Sequence, residues 1–106
     1  MKNIFFIFCL MSYIIYGQVE VVQYNAGWNS TNDVEWVENL KDCEIQYIDI
    51  AADAAAQSKY EIVVVPTIIV FNGKEVKRFQ ADISFAMKAT KKDIQNVVDE
   101  ILMEGF

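Results

Sequence analysis

The chain has 106 residues, nine of them Lys or Arg and fifteen Asp or Glu, for a net charge of −6. That is enough for one small domain, and the acid surplus argues against nucleic acid and anionic membrane surfaces, both of which need clustered cations. Histidine is absent, which removes the commonest general base and metal ligand, and with them a serine-hydrolase triad; with a single cysteine, Cys43, beyond the first seventeen residues, Cys-His catalysis and a zinc site are out of reach as well.

The first seventeen residues read as a secretory leader. Lys2 supplies a positive charge, Ile4 to Tyr16 is apolar except for Ser12, and Gly17 is a small residue at a cleavage point before Gln18. The apolar run has the length of ~7–15 residues expected of a leader and is short for a bilayer span. Cys9 has no small residue before it, so lipoprotein processing is not expected. The division is then a signal peptide at 1–17 and a folded domain at 18–106, exported to a periplasm or beyond, with an uncleaved anchor as the alternative. Without Lys2 the domain carries eight basic against fifteen acidic residues, a net charge of −7. Its one basic grouping, Lys88, Lys91 and Lys92, reads as the solvated start of a helix.

Val19, Val21, Val22 and Tyr24 predict a first strand, apolar on both faces and so central and doubly covered. Asn29 or Ser30 is expected to cap a helix running to about Leu40, with Asp33, Glu35 and Glu38 near its start and Val34, Val37 and Leu40 facing inward. Ile45, Tyr47, Ile48 and Ile50 predict a second strand. Asp53 opens a short alanine-rich helix through Lys59-Tyr60. Thr67 to Phe71 is a third strand, Asn72-Gly73 a tight hairpin turn, and Glu75 to Phe79 a fourth strand. A last helix starts at Thr90 with Asp93 three residues on; Ile94, Val97, Val98, Ile101 and Leu102 form its apolar stripe, and Gly105 marks its stop.

The order β-α-β-α-β-β-α, a strand running into Gly27-Trp28-Asn29-Ser30-Thr31-Asn32, and a distant Val65-Pro66-Thr67 together resemble the thioredoxin family. There a tryptophan precedes Cys-x-x-Cys at a helix start, and a cis-proline faces the two cysteines. Asp49, Lys59-Tyr60-Glu61-Ile62 and the Asn72-Gly73 turn extend the resemblance over the whole folded part. It implies a four-stranded mixed sheet in the order 2-1-3-4, with helices on both faces, a cis Val65-Pro66 bond, and no room for the family's additional first strand and helix. It places Asn29 and Asn32 at the two cysteine positions. An asparagine amide forms no thiolate and attacks no disulfide, so a redox centre is not expected.

The resemblance leaves a groove without its chemistry. Trp28, Val65, Pro66 and Thr67 would line it, and in the family the backbone before the cis-proline pairs with an extended peptide, a form of strand addition that needs no thiol. Trp28 is expected to be partly exposed. The segment from Ala81 to Ala89 is longer and more apolar than the family's short loop. Its alternating Ile83, Phe85 and Met87 read either as a packed lid or as a flap adding an apolar partner-binding edge. Cys43 lies between Asp42 and Glu44, which would raise its pKa; it reads as a buried inert thiol or as a site of intermolecular pairing. The functional expectation is an exported module that binds a protein or extended peptide, with no catalytic residue, cofactor or metal. The alternative is a thiol–disulfide exchange protein acting through Cys43 or a partner's cysteines.

Overall fold

A computed structural model describes residues 19–104. The leader read at 1–17 and the helix stop at Gly105 lie outside these residues. The elements are β1 (Glu20–Asn25), two short 3-10 helices (Gly27–Asn32 and Glu35–Asn39), β2 (Glu44–Asp49), α1 (Ala54–Lys59), β3 (Thr67–Phe71), β4 (Glu75–Gln80) and α2 (Lys91–Glu104). The sheet order is β2-β1-β3-β4, as expected. β1 runs parallel to β2 and antiparallel to β3, which pairs antiparallel with β4.

Strand alternation sends β1 into two cores. Val19 and Val21 join Ile68 and Val70 under Val34, Val37, Leu40, Ile94 and Val98. Val22 and Tyr24 join Ile69 on the opposite face with Ile50, Ile62 and Val65. β1 and β3 are therefore covered on both sides, which is why their sequences are nearly continuous in valine and isoleucine.

Two local expectations hold and two fail. Asp53 caps α1 by accepting from the Ala56 N–H at 3.0 Å. Thr90 and Asp93 form a reciprocal cap at the start of α2: the Thr90 N–H donates to Asp93 Oδ2 at 2.8 Å and the Asp93 N–H to Thr90 Oγ1 at 3.2 Å. The hairpin at Asn72-Gly73, however, has three residues between the paired Phe71 and Glu75, with a register shift at Val70/Phe71. Gly73 takes φ 84°, the left-handed conformation that a three-residue loop with a bulge requires and that glycine adopts freely.

The helix expected from Asn29 to Leu40 is absent. Two 3-10 turns replace it, separated by Asp33 and Val34 in extended backbone (ψ 140° and 96°). Glutamine side chains hold this irregular stretch at its central break and at its end. Gln23 accepts from the Val34 N–H at 2.8 Å and donates to the Val34 carbonyl at 3.1 Å. Gln95 on α2 does the same for Lys41, at 2.9 and 3.0 Å. Asn, Ser, Thr and Asp compete locally with helical hydrogen bonds, and the run Asn29-Ser30-Thr31-Asn32-Asp33 gives a helix no support. Val34, Val37 and Leu40 are nevertheless buried, as expected.

Candidate functional site

The site lies at the carboxyl end of β1. Even-numbered residues of β1 face one core and odd-numbered ones the other. On the odd face Val19 and Val21 give way to Gln23 and Asn25, both buried. Asn25 is fully enclosed, so its carboxamide must find partners inside the protein. Its Nδ2 donates to the Asn29 carbonyl at 3.1 Å and to Asp33 Oδ1. Its Oδ1 accepts from Asn29 Nδ2 at 3.1 Å.

Asn29 is 5% exposed and stands at the kink of the first 3-10 helix, with φ −113° and ψ 23°. It does not cap a helix, as the sequence suggested: the turn begins at Ala26 without any side-chain cap. Its Nδ2 reaches three acceptors from three segments, namely Asn25 Oδ1, the Val65 carbonyl at 3.5 Å and the Phe85 carbonyl at 3.3 Å. Its Oδ1 accepts from Asn32 Nδ2 at 2.8 Å. The two positions matched to a cysteine pair are thus in direct contact, as hydrogen-bonding amides.

The Val65-Pro66 bond is cis. Val65, Pro66 and Thr67 are all buried. The carbonyls here already accept internal bonds: Val64 from Thr67 Oγ1 at 2.6 Å, Val65 from Asn29, and Pro66 from the Ala81 N–H at 3.0 Å. What faces solvent is Trp28, 68% exposed, with Phe85 edge-on at 5.5 Å between ring centroids and 89° between planes. The flap divides. Met87 packs against the core, Phe85 lies on Trp28, and Ile83 projects outward at 96% exposure. The alternation does not produce one apolar face because Asp82 turns the chain, accepting from the Ser84 N–H at 2.8 Å and from the Ser84 hydroxyl.

Asp49, at the end of β2, is half-buried and accepts through Oδ1 from the Gly27 N–H at 3.3 Å and the Ala51 N–H at 2.9 Å. It holds backbone at the edge of the site. Cys43 is a free, half-buried thiol. Burial, and then the neighbouring Asp42, push its pKa up, away from thiolate formation at neutral pH. It precedes Glu44, which pairs with Glu20, whereas the Asn25 end of β1 pairs with Asp49. At about 3.3 Å per residue the thiol sits roughly 16 Å along the sheet from the Asn29 cluster. No group of three potential metal ligands occurs among the described residues.

From the sequence, Trp28, Asn29, Asn32 and Pro66 are the residues expected at this end; Gln23 and Asn25 are not among them, and Asp33 is expected only near a helix start. The signal was present in β1, whose valine-rich odd face turns polar at two successive positions.

No family model matches the chain, and no curated protein matches it. Solved structures do. It is similar to a single-residue mutant of thioredoxin from Halobacterium salinarum NRC-1, with 17% identity and a TM-score of 0.67, covering 87% of this chain and 82% of that one. It is similar also to Fasciola hepatica thioredoxin, with 19% identity and a TM-score of 0.60 over 86% of this chain and 88% of that one. A malaria parasite thioredoxin-2 aligns with 18% identity and a TM-score of 0.59 over 78% and 82%. The chain therefore has a thioredoxin-like fold.

Proposed function

We propose that this chain is an exported thioredoxin-fold module that binds an extended polypeptide and exchanges no disulfides. The observation that carries the reading is Asn29, a buried amide at the reactive position whose donor ties the cis-proline loop to β1. An amide there serves geometry and offers no nucleophile. The same end of the sheet carries a large exposed aromatic, Trp28, of the kind that anchors partners when one face is free. Cys43 is remote from this end, and its raised pKa does not favour attack on disulfides. Export rests on the leader-like residues 1–17; an intact mass beginning at Gln18, for protein recovered from its own cells, supports it, and retention of Met1 argues against it.

Replacing Trp28 with alanine tests the binding reading. The side chain is mostly exposed and shares one aromatic contact, so stability should fall by no more than about 0.5–1.5 kcal/mol. A core tryptophan would cost about 3–5 kcal/mol. Partner recovery from the native envelope by the immobilised domain should fall sharply. Undiminished recovery by the Trp28→Ala protein contradicts the reading.

A further inference from the structure

The flap puts the chain's own residues where a groove-bound partner would lie. The Phe85 ring stands on Trp28, and its carbonyl accepts from the same Asn29 Nδ2 that reaches the Val65 carbonyl. Phe85 also holds φ 63°, a left-handed conformation that bulky side chains rarely adopt and that surroundings must maintain. The turn itself supplies part of them: Asp82 accepts from the Ser84 N–H at 2.8 Å and from the Ser84 hydroxyl, and its own N–H donates to the Ala86 carbonyl at 3.4 Å. The Phe85 N–H donates to the Asp82 carbonyl at 2.9 Å, and Lys88 pairs with Asp82 at 3.5 Å across exposed surface. The segment is anchored behind by the Ala81 N–H on the Pro66 carbonyl and ahead by Met87 in the core. Between these anchors the turn closes on itself, and the Phe85 ring and carbonyl add contacts with Trp28 and Asn29.

We propose that Asp82–Ala86 is an intramolecular occupant of the groove, and that the partner it stands in for is an extended peptide bearing an aromatic side chain. The partner's ring takes the place of Phe85 against Trp28, and its backbone carbonyl takes the acceptor place on Asn29 Nδ2. Binding then requires displacement of the flap, and the release of Phe85 from its left-handed backbone favours that exchange. The inference rests on the binding reading above and adds to it the chemistry of the ligand and a closed resting state.

A capped peptide of the flap sequence, Asp-Ile-Ser-Phe-Ala-Met-Lys, is the probe, titrated calorimetrically into the full chain. Because the closed state reduces apparent affinity by the fraction of open molecules, Phe85→Ala should bind the peptide about tenfold more tightly than wild type. Phe85→Gly removes the ring while tolerating φ 63°, so it repeats the test should the alanine variant fold poorly. Adding Trp28→Ala, or replacing the peptide's Phe with Ala, should abolish binding. Equal affinity for wild type and both Phe85 variants overturns the proposal, as does binding that survives Trp28→Ala. A wild-type dimer that dissociates on Phe85→Ala also overturns it, by assigning the flap to exchange between two copies. If Trp28 still governs partner recovery while the Phe85 variants gain nothing, the closed flap is wrong and the binding reading stands.

Discussion

The carboxyl end of β1 and the outer edge of β2 meet at Asp33, yet different physics governs them. Asp33 Oδ1 accepts from buried Asn25 Nδ2 on one side and from the exposed Tyr47 hydroxyl, at 3.2 Å, on the other. Around Asn25 and Asn29, amides excluded from water are paired with one another and with backbone, so each bond removed strands another group. Along β2, Ile45 and Tyr47 are exposed, and a cavity of about 510 Å³ lined by Gln23, Asp33, Val34, Glu38, Ile45 and Tyr47 lies beside them. Among the described residues β2 pairs with β1 alone. The comparison shows that the end matched to a reactive centre is the better satisfied of the two. Its polar groups are committed to holding three segments together, while the edge leaves its surface to solvent.

Removing one amide from the buried end should produce the larger effect. Asn25→Ala takes a partner from the Asn29 carboxamide, the Asn29 carbonyl and Asp33, at a cost of about 1–3 kcal/mol for a stranded buried group. In a domain of this size each kcal/mol lowers the thermal midpoint by about 4–8 °C, so thermal unfolding followed by circular dichroism reads the change directly. On the edge, Tyr47→Phe deletes only an exposed hydrogen bond to the same carboxylate. The same scan should show a change within about 0.5 kcal/mol. Burial and the Asp33 charge both push the Tyr47 hydroxyl above its usual pKa, so it donates as a neutral phenol at neutral pH. Equal losses in the two variants would erase the distinction between a committed interior and a solvated edge.

Much of the scaffold was legible from local pattern. Thr67 to Phe71 forms β3 at the expected residues, and the Thr90/Asp93 cap and its stripe define α2. These elements are encoded by neighbours in sequence. The segment after Trp28 is not. Its extended break at Asp33 and Val34 depends on Gln23, eleven residues earlier, and its end at Lys41 on Gln95, fifty-four residues later. No local window contains both partners. The flap follows the same rule: period-two alternation at Ile83, Phe85 and Met87 favours one extended face, but the Asp82–Ser84 turn bends the chain within it. At the site, the resemblance singled out Asn29 and Asn32, while the bonds of Asn29 to Asn25, Val65 and Phe85 and of Asn32 to Asn29 are made only in the folded chain.

The claim that Asn29 is a structural donor in a domain without disulfide chemistry is tested most directly by turnover. The full chain is assayed for reduction of insulin disulfides with dithiothreitol as electron donor, beside its Cys43→Ser variant. The account predicts that both proteins match the uncatalysed background. A rate clearly above background that disappears with Cys43→Ser would contradict it and place thiol exchange at Cys43.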